Sequence, residues 1–338
     1  MKQTTLIVLL LAALVCINSV VFLRAFENAN RDGAQVITLR GATQFGEDHA
    51  FTKTIRRFEE LVVEYYDKPI KFELYINSEL GLEKDYFEYM NQGLTVDYGI
   101  VSPSHMSTYC ESAPLMDVPF LFRDLDHWNR VLDSDALQPI ADEIYDRADV
   151  MLIGYAGGGV RNLIVKKPIT NMQELKGLSI RVMGAPIQTR IFQAIGAAPS
   201  VIAYSEVYNA IQTGVIDAAE NEAAGIRQMK FYEVGPEISQ TQHAITVRPL
   251  CFNGKSLRQL PADLQAAIKK AGREAGAYGR QLESNQDAEI LAGMEKENKA
   301  TTHRFTQREE LLRLAEPVKA AYAKEINAEA VLARINAL

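Results

Sequence analysis

Residues 176–222 read KGLSIRVMGAPIQTRIFQAIGAAPSVIAYSEVYNAIQTGVIDAAENE, and the reading of this stretch decides the fold. It begins with a short apolar strand, SIRV, that carries one arginine, Arg181. Pro186 suits the first turn of a helix whose apolar face is Ile187, Ile191, Phe192 and Ile195, and Gly196 suits its end. Ser205 is placed to cap a second helix, with Glu206 at its positive end, Val207, Ala210 and Ile211 facing inward and Gly214 as the stop. The segment leaves through Glu220–Asn221–Glu222. A guanidinium offers paired, planar donors that match a carboxylate and stays charged when desolvated. The layout therefore suits holding an anion, and no catalytic group stands beside it.

Working outward, Gln35–Arg40 is β-branched and predicts a strand, and the apolar spacing of Phe51–Tyr66 predicts a helix. Strands over 69–76 and 98–101 flank a helix over 86–92 that Gly93 stops. Strands alternating with helices predict an α/β architecture with a largely parallel sheet. Ligands of such sheets sit at the carboxyl ends of the strands, so Gly41–His49, Ser102–His105 and Gly157–Arg161 are candidate pocket loops. From Pro261 to Asn298 the chain reads helical, with Gly272, Gly276, Gly279 and Gly293 expected to weaken or bend it.

The chain has 338 residues, 47% of them apolar, enough for a substantial core and for two domains. Its 36 Lys and Arg against 43 Asp and Glu give a net charge of −7, with no basic block, which excludes ordinary nucleic-acid binding. Anion specificity must then be local. Residues 1–25 open with Lys2, run apolar from about Leu6 to Leu23 and present Ala25, the pattern of a cleaved signal peptide rather than an anchor. The chain is expected in the periplasm. Cys110 and Cys251 are expected as two buried free thiols; their separation along the chain does not establish a disulfide.

Other chemistries fail on inspection. Gly254-Lys255-Ser256 resembles the end of a phosphate-binding loop, but Pro249 stands where its first glycine belongs. His49, His105, His127, His243 and His303 never pair at helical spacing, and no G-x-S-x-G elbow is present. No catalytic residue, metal or cofactor is expected, and the chain does not read as an enzyme.

The letters Arg181-Val182, Pro186, Gly196 to Pro199, Ser205 to Tyr208, Ala210, Gln212, Gly214, Asp217 and Glu220-Asn221 closely resemble a family signature. It is that of the solute-binding proteins of tripartite ATP-independent periplasmic (TRAP) transporters, dicarboxylate-binding type. The resemblance spans roughly residues 36–325 and departs from the pattern at Glu222, where the family has proline, and at Ala218, where it has glycine. It implies a two-lobed periplasmic binding protein fold with discontinuous lobes, hinge strands and a long helix braced across both. Lobe I is expected over 36–158 plus about 246–285, and lobe II over 159–245 plus about 286–338.

The resemblance assigns Arg181 to the ligand carboxylate and places Arg161 and Asn221 in the site. Glu47, Asp48 and His49 read either as first-lobe contacts or as a solvated loop. Glu83 and Ser102 occupy places that can line the pocket. Tyr204 and Phe231 could face a sugar ring, although such spacing more often marks core, and Gln242 and His243 lie near a second crossing. Expected partners are a small organic acid and a small and a large integral membrane permease subunit, with the protein itself a monomer. A polar first lobe favours a sugar acid such as a uronate or aldonate; C4-dicarboxylates, 2-oxo acids, sialic acid and a sensor role remain alternatives.

Overall fold

The computed structural model describes residues 36–338; the expected leader lies outside them. Nine strands form its sheet: β1 (Ile37–Ala42), β2 (Ile70–Tyr75), β3 (Tyr98–Ile100), β4 (Val150–Val165), β5 (Ser179–Val182), β6 (Ala198–Val201), β7 (Ala218–Asn221), β8 (Glu237–Asn253) and β9 (Thr301–Arg304). Their order is β2-β1-β3-β8-β4-β7-β5-β6, with β9 pairing the Glu237–Gln240 end of β8.

The two long strands organise everything else. β4 and β8 run antiparallel from the Val150–Asn253 pair at one end to the Val165–Glu237 pair at the other. β3 joins β8 at the first end, at Tyr98–Phe252, and brings β1 and β2 with it. β7 joins β4 at the opposite end, at Asn162–Asn221, and brings β5 and β6. Two groups of strands thus hang from opposite ends of one continuous pair, which is the two-lobed fold. The flanks are parallel and the centre is antiparallel. Local alternation detects the βα units of each flank but carries no sign of the opposed direction of two strands nearly ninety residues apart in sequence.

At mid-length the ladder is irregular, with register shifts between Gly157 and Val160 and between Arg161 and Leu163. Gly157 and Gly158 take φ of 114° and 118°, a region that favours glycine. A Cβ on Gly157 would collide with the Thr246 carbonyl, and one on Gly158 would crowd Ser284. The sequence marks Gly157–Arg161 as a candidate pocket loop; what lies against these two glycines is β8 and the long helix. The amides of Gly158 and Gly159 both donate to Thr246 Oγ1 at 3.0 Å.

That long helix, Ala262–Lys296, is unbroken over 35 residues, about 52 Å. Its glycines do not break it. Gly272 lies on the Ile153 carbonyl, Gly276 on the Tyr155 backbone and Gly279 on Thr54 and Ala156, so the absent side chains seat the helix directly on β4. Packing at close range outweighs the intrinsic cost of about 1 kcal/mol per glycine. The helix packs on helix Ala50–Tyr65 at one end and on Ala223–Gln228 at the other.

Helix Pro186–Ala194 forms as expected and ends at Gly196, φ 96°. Ser205 does not cap its helix. Tyr204–Glu206 is a 3₁₀ turn and the α-helix starts at Val207, so the serine lies inside the tightened turn, one residue too early. Cys110 and Cys251 are buried free thiols. The C-terminal helices, Arg308–Glu325 and Glu329–Ala337, reach across the molecule: Lys319 Nζ donates to the Phe120 carbonyl and His127 Nε2 meets the Ile335 carbonyl. Among the described residues no helix is long and apolar enough to cross a membrane.

Candidate ligand-binding site

A cavity opens between the lobes where β5, β7 and the mid-length crossing of β4 and β8 converge. Its lining includes Arg161, Arg181, Arg248, Glu83, Asn221 and Tyr204. Three guanidiniums in one buried space are costly unless anions balance them, and each is balanced differently.

Arg181 lies on β5 and is 4% exposed. Its Nε donates to the Ile202 carbonyl at 2.9 Å, and its guanidinium lies 5.7 Å from the centre of the Tyr204 ring. Among the described residues no carboxylate pairs with it. Burial lowers its pKa, and Arg161 lowers it further, against the attraction of Glu220. Among the described residues its terminal nitrogens find no carboxylate, so this desolvated cation has its pairing capacity free for an anion from outside.

Arg161, on β4, is the opposite case. Its Nε and one terminal nitrogen grip the Glu220 carboxylate at 2.5 and 2.8 Å, and the other donates to Glu222 at 2.7 Å. The Glu220 carbonyl accepts a further bond at 2.9 Å. Burial works to raise the Glu220 carboxyl, but Arg161 and His243 outweigh it and hold the group well below the usual carboxylate range. His243 Nε2 is 3.1 Å from the same carboxylate and Thr241 holds its Nδ1 at 2.8 Å. Glu222, the departure from the family pattern, therefore does not face solvent. It is 1% exposed and occupies an arginine.

Arg248, on β8, was missed in the sequence. It is 5% exposed and sits 4.0 Å from both Glu83 Oε1 and Asp117 Oδ2, too far for a direct hydrogen bond. One terminal nitrogen donates to the Val247 carbonyl, and the guanidinium lies 5.3 Å from the Phe51 ring centre. The signal was available: TVRPLCF places an arginine in an apolar strand just as SIRV does.

Glu83 opens helix Glu83–Asn91 and lies in the cavity, where its Oε2 accepts from the Ser102 amide at 2.7 Å. Burial raises its pKa against the pull of Arg248. Ser102 stands one layer back, its hydroxyl given to Asp117 at 2.8 Å. Asn221 ends β7 in the cavity and donates to the Tyr204 hydroxyl at 2.9 Å. Phe231 backs the edge of Tyr204 from the core. Gln242 is a positive-φ residue whose carbonyl accepts from Arg308, outside the cavity.

Glu47 and Asp48 are not brought to the cavity arginines; with His49, which lies between the two spaces, they line a separate, more open groove with Lys53, Arg227 and Glu289. Glu47 pairs with Arg56 at 3.0 Å. His49 caps helix Ala50–Tyr65 through Nδ1 and stacks at 4.0 Å on Phe45, which does line the arginine cavity. Burial, then Arg248, lowers its pKa to about 3, so it is neutral.

Behind the cavity the long helix presents Glu283 and Asp287 to the crossing. Thr246 Oγ1 donates to Glu283 at 3.1 Å, and Asp287 accepts from the amides of Ala223 and Val160 at 3.0 and 3.3 Å. Burial, then the neighbouring Glu222 charge, pushes Glu283 up from 4.5 to about 8. The folded chain thus keeps a proton that the unfolded chain has released, so this group's contribution to stability falls as pH rises from about 4.5 to about 8. Glu283→Gln should be more stable than wild type at pH 8, with the difference closing toward pH 5. Urea midpoints at the two pH values test this; a gap that widens toward pH 5 contradicts it.

The profile described as bacterial extracellular solute-binding protein, family 7, matches residues 41–328. The chain belongs to that family. A solute-binding protein of Sulfitobacter sp. (strain NAS-14.1) is 55% identical over 88% of this chain and 91% of its own length. A solved TRAP periplasmic solute-binding protein from Sulfitobacter sp. NAS-14.1, with bound α-D-taluronate, superposes with a TM-score of 0.88 at 55% identity, covering 89% of this chain and 97% of that one. Another, from Roseobacter denitrificans OCh 114 with bound L-galactonate, has a TM-score of 0.81 at 29% identity, covering 89% and 99%. This chain is accordingly a TRAP-type solute-binding protein with the two-lobed fold of its relatives.

Proposed function

We propose that this protein captures a sugar acid, a uronate or an aldonate, between its lobes and delivers it to the membrane subunits of a TRAP transporter. The observation that carries the reading is Arg181: a buried guanidinium with no carboxylate partner among the described residues, facing a cavity that also holds Glu83, Asn221 and Glu222. The arginine takes the ligand carboxylate as a charge-assisted pair. Acid and amide side chains accept and donate to hydroxyls, and Phe45 and Tyr204 supply ring faces. The uronate and aldonate bound by the relatives support the same class of ligand.

Charge favours a single carboxylate on the ligand. Arg161 is committed to Glu220 and Glu222, and Arg248 stands between Glu83 and Asp117, so a second ligand carboxylate would meet acids wherever it found a cation. This weighs against C4-dicarboxylates. Lobe I is proposed over 36–158 with about 246–285 and lobe II over 159–245 with about 286–338, the Gly157–Gly158 crossing serving as hinge. A ligand touching both lobes favours the closed form by its differential contacts, and closure is what the permease subunits would recognise. Secretion through residues 1–25, a monomeric state and the absence of turnover belong to the same reading.

A thermal-shift panel tests it with D-taluronate, D-galacturonate, L-galactonate, succinate, pyruvate and sialic acid. A ligand at a hundred times its Kd adds about 2.7 kcal/mol, a shift of a few degrees for a chain of this size. Sugar acids should shift the transition and succinate should not; the reverse order would overturn the assignment.

A further inference from the structure

Two buried polar atoms in the cavity lack any partner, and they face each other: Arg248 Nε and Glu83 Oε1. They stand 4.0 Å apart on residues 1% and 5% exposed or less. The separation is too long for a direct hydrogen bond and short enough for one oxygen to sit about 2.8 Å from both. The other Glu83 oxygen is already held by the Ser102 amide, which fixes the carboxylate plane. The Arg248 guanidinium is fixed in turn by the Val247 carbonyl and the Phe51 ring.

We propose that Arg248 and Glu83 together read one hydroxyl of the bound acid, Arg248 donating to its oxygen and Glu83 accepting its proton. This rests on the sugar-acid reading of the same cavity and adds to it a specificity-determining pair. The chemistry of the two atoms selects the group. A carboxylate would accept from Arg248 but repel Glu83, and an ammonium would donate to Glu83 but repel Arg248. A hydroxyl does both at once. A ligand without that hydroxyl leaves a buried donor and acceptor unpaired, which discriminates more strongly than an apolar contact does. Arg181 thus fixes one end of the acid, while this pair reads the configuration of one carbon.

The test is a double cycle by titration calorimetry, using D-taluronate and monodeoxy analogues that each lack one ring hydroxyl, against wild type, Glu83→Gln and Arg248→Lys. In wild type one analogue should bind about tenfold to a hundredfold more weakly than the parent. In Glu83→Gln, which turns an acceptor into a donor, that same penalty should fall below about threefold, as the remaining contact is then mismatched with or without the hydroxyl. Arg248→Lys keeps the charge, loses the directed Nε donor and should reduce the penalty likewise. Because each penalty is measured within one variant, a general loss of affinity does not mimic the result. Equal penalties in all three proteins would overturn the pair, a water then bridging the two atoms, while leaving the sugar-acid reading intact. No binding of D-taluronate or its analogues to wild type would overturn both.

Discussion

Arg181→Ala should weaken binding of the sugar acid by about thirtyfold to more than a thousandfold, the effect of removing one partner of a desolvated, hydrogen-bonded charge pair. The same substitution should leave the ligand-free protein no less stable. Arg181 pairs with no carboxylate among the described residues and is buried at a cost that its truncation relieves. Calorimetric titration gives the first quantity and a thermal melt without ligand gives the second. Arg181→Lys, which keeps the charge but not the planar fork, should fall between wild type and alanine. Loss of affinity accompanied by a large loss of stability would mean that the arginine holds the fold instead.

Arg161→Ala should show the opposite profile. It strands two buried carboxylates, Glu220 and Glu222, and breaking such a pair costs about 3–5 kcal/mol of folding stability. The sign of its pH dependence follows from Glu220. A carboxyl held below its ordinary 4.5 contributes stability that is present above that value and is lost as pH falls through the folded-state pKa. The deficit of the variant should therefore be widest near pH 7 and shrink below about pH 4.5, as read from urea unfolding. Adding Glu220→Gln and Glu222→Gln should restore part of the stability. A deficit independent of pH would show that packing, not charge, is what Arg161 supplies. The two arginines, both in the cavity, are thereby separable by experiment: loss of affinity is expected at Arg181 and loss of stability at Arg161.

Much of this was legible in the sequence because the signals are local. SIRV, Pro186, Gly196 and Gly214 specify a strand and helix ends within a few residues, and the structure forms them there. Arg181 and Asn221 are singled out by the resemblance to the family signature rather than by their spacing alone. What was not legible depends on partners far away in sequence. Glu47 and Asp48 follow β1 in sequence, yet the chain carries them to a separate groove. Gly272, Gly276 and Gly279 of the long helix read as weak points until β4 lies against them. Arg248 stands in an apolar strand as Arg181 does but outside the signature stretch, and its neighbours, Glu83 and Asp117, come from more than a hundred residues away. Glu222 was visible as a departure from the family pattern, but its buried contact with Arg161, sixty-one residues away in sequence, was not.

The most direct measurement is a crystal structure of the protein with a bound uronate, D-taluronate or D-galacturonate. The ligand carboxylate should lie within hydrogen-bond distance, about 2.7–2.9 Å, of the Arg181 terminal nitrogens, with Arg161 still held by Glu220 and Glu222. A carboxylate seated on Arg161 or Arg248 instead, with Arg181 turned to a protein carboxylate, would contradict the account.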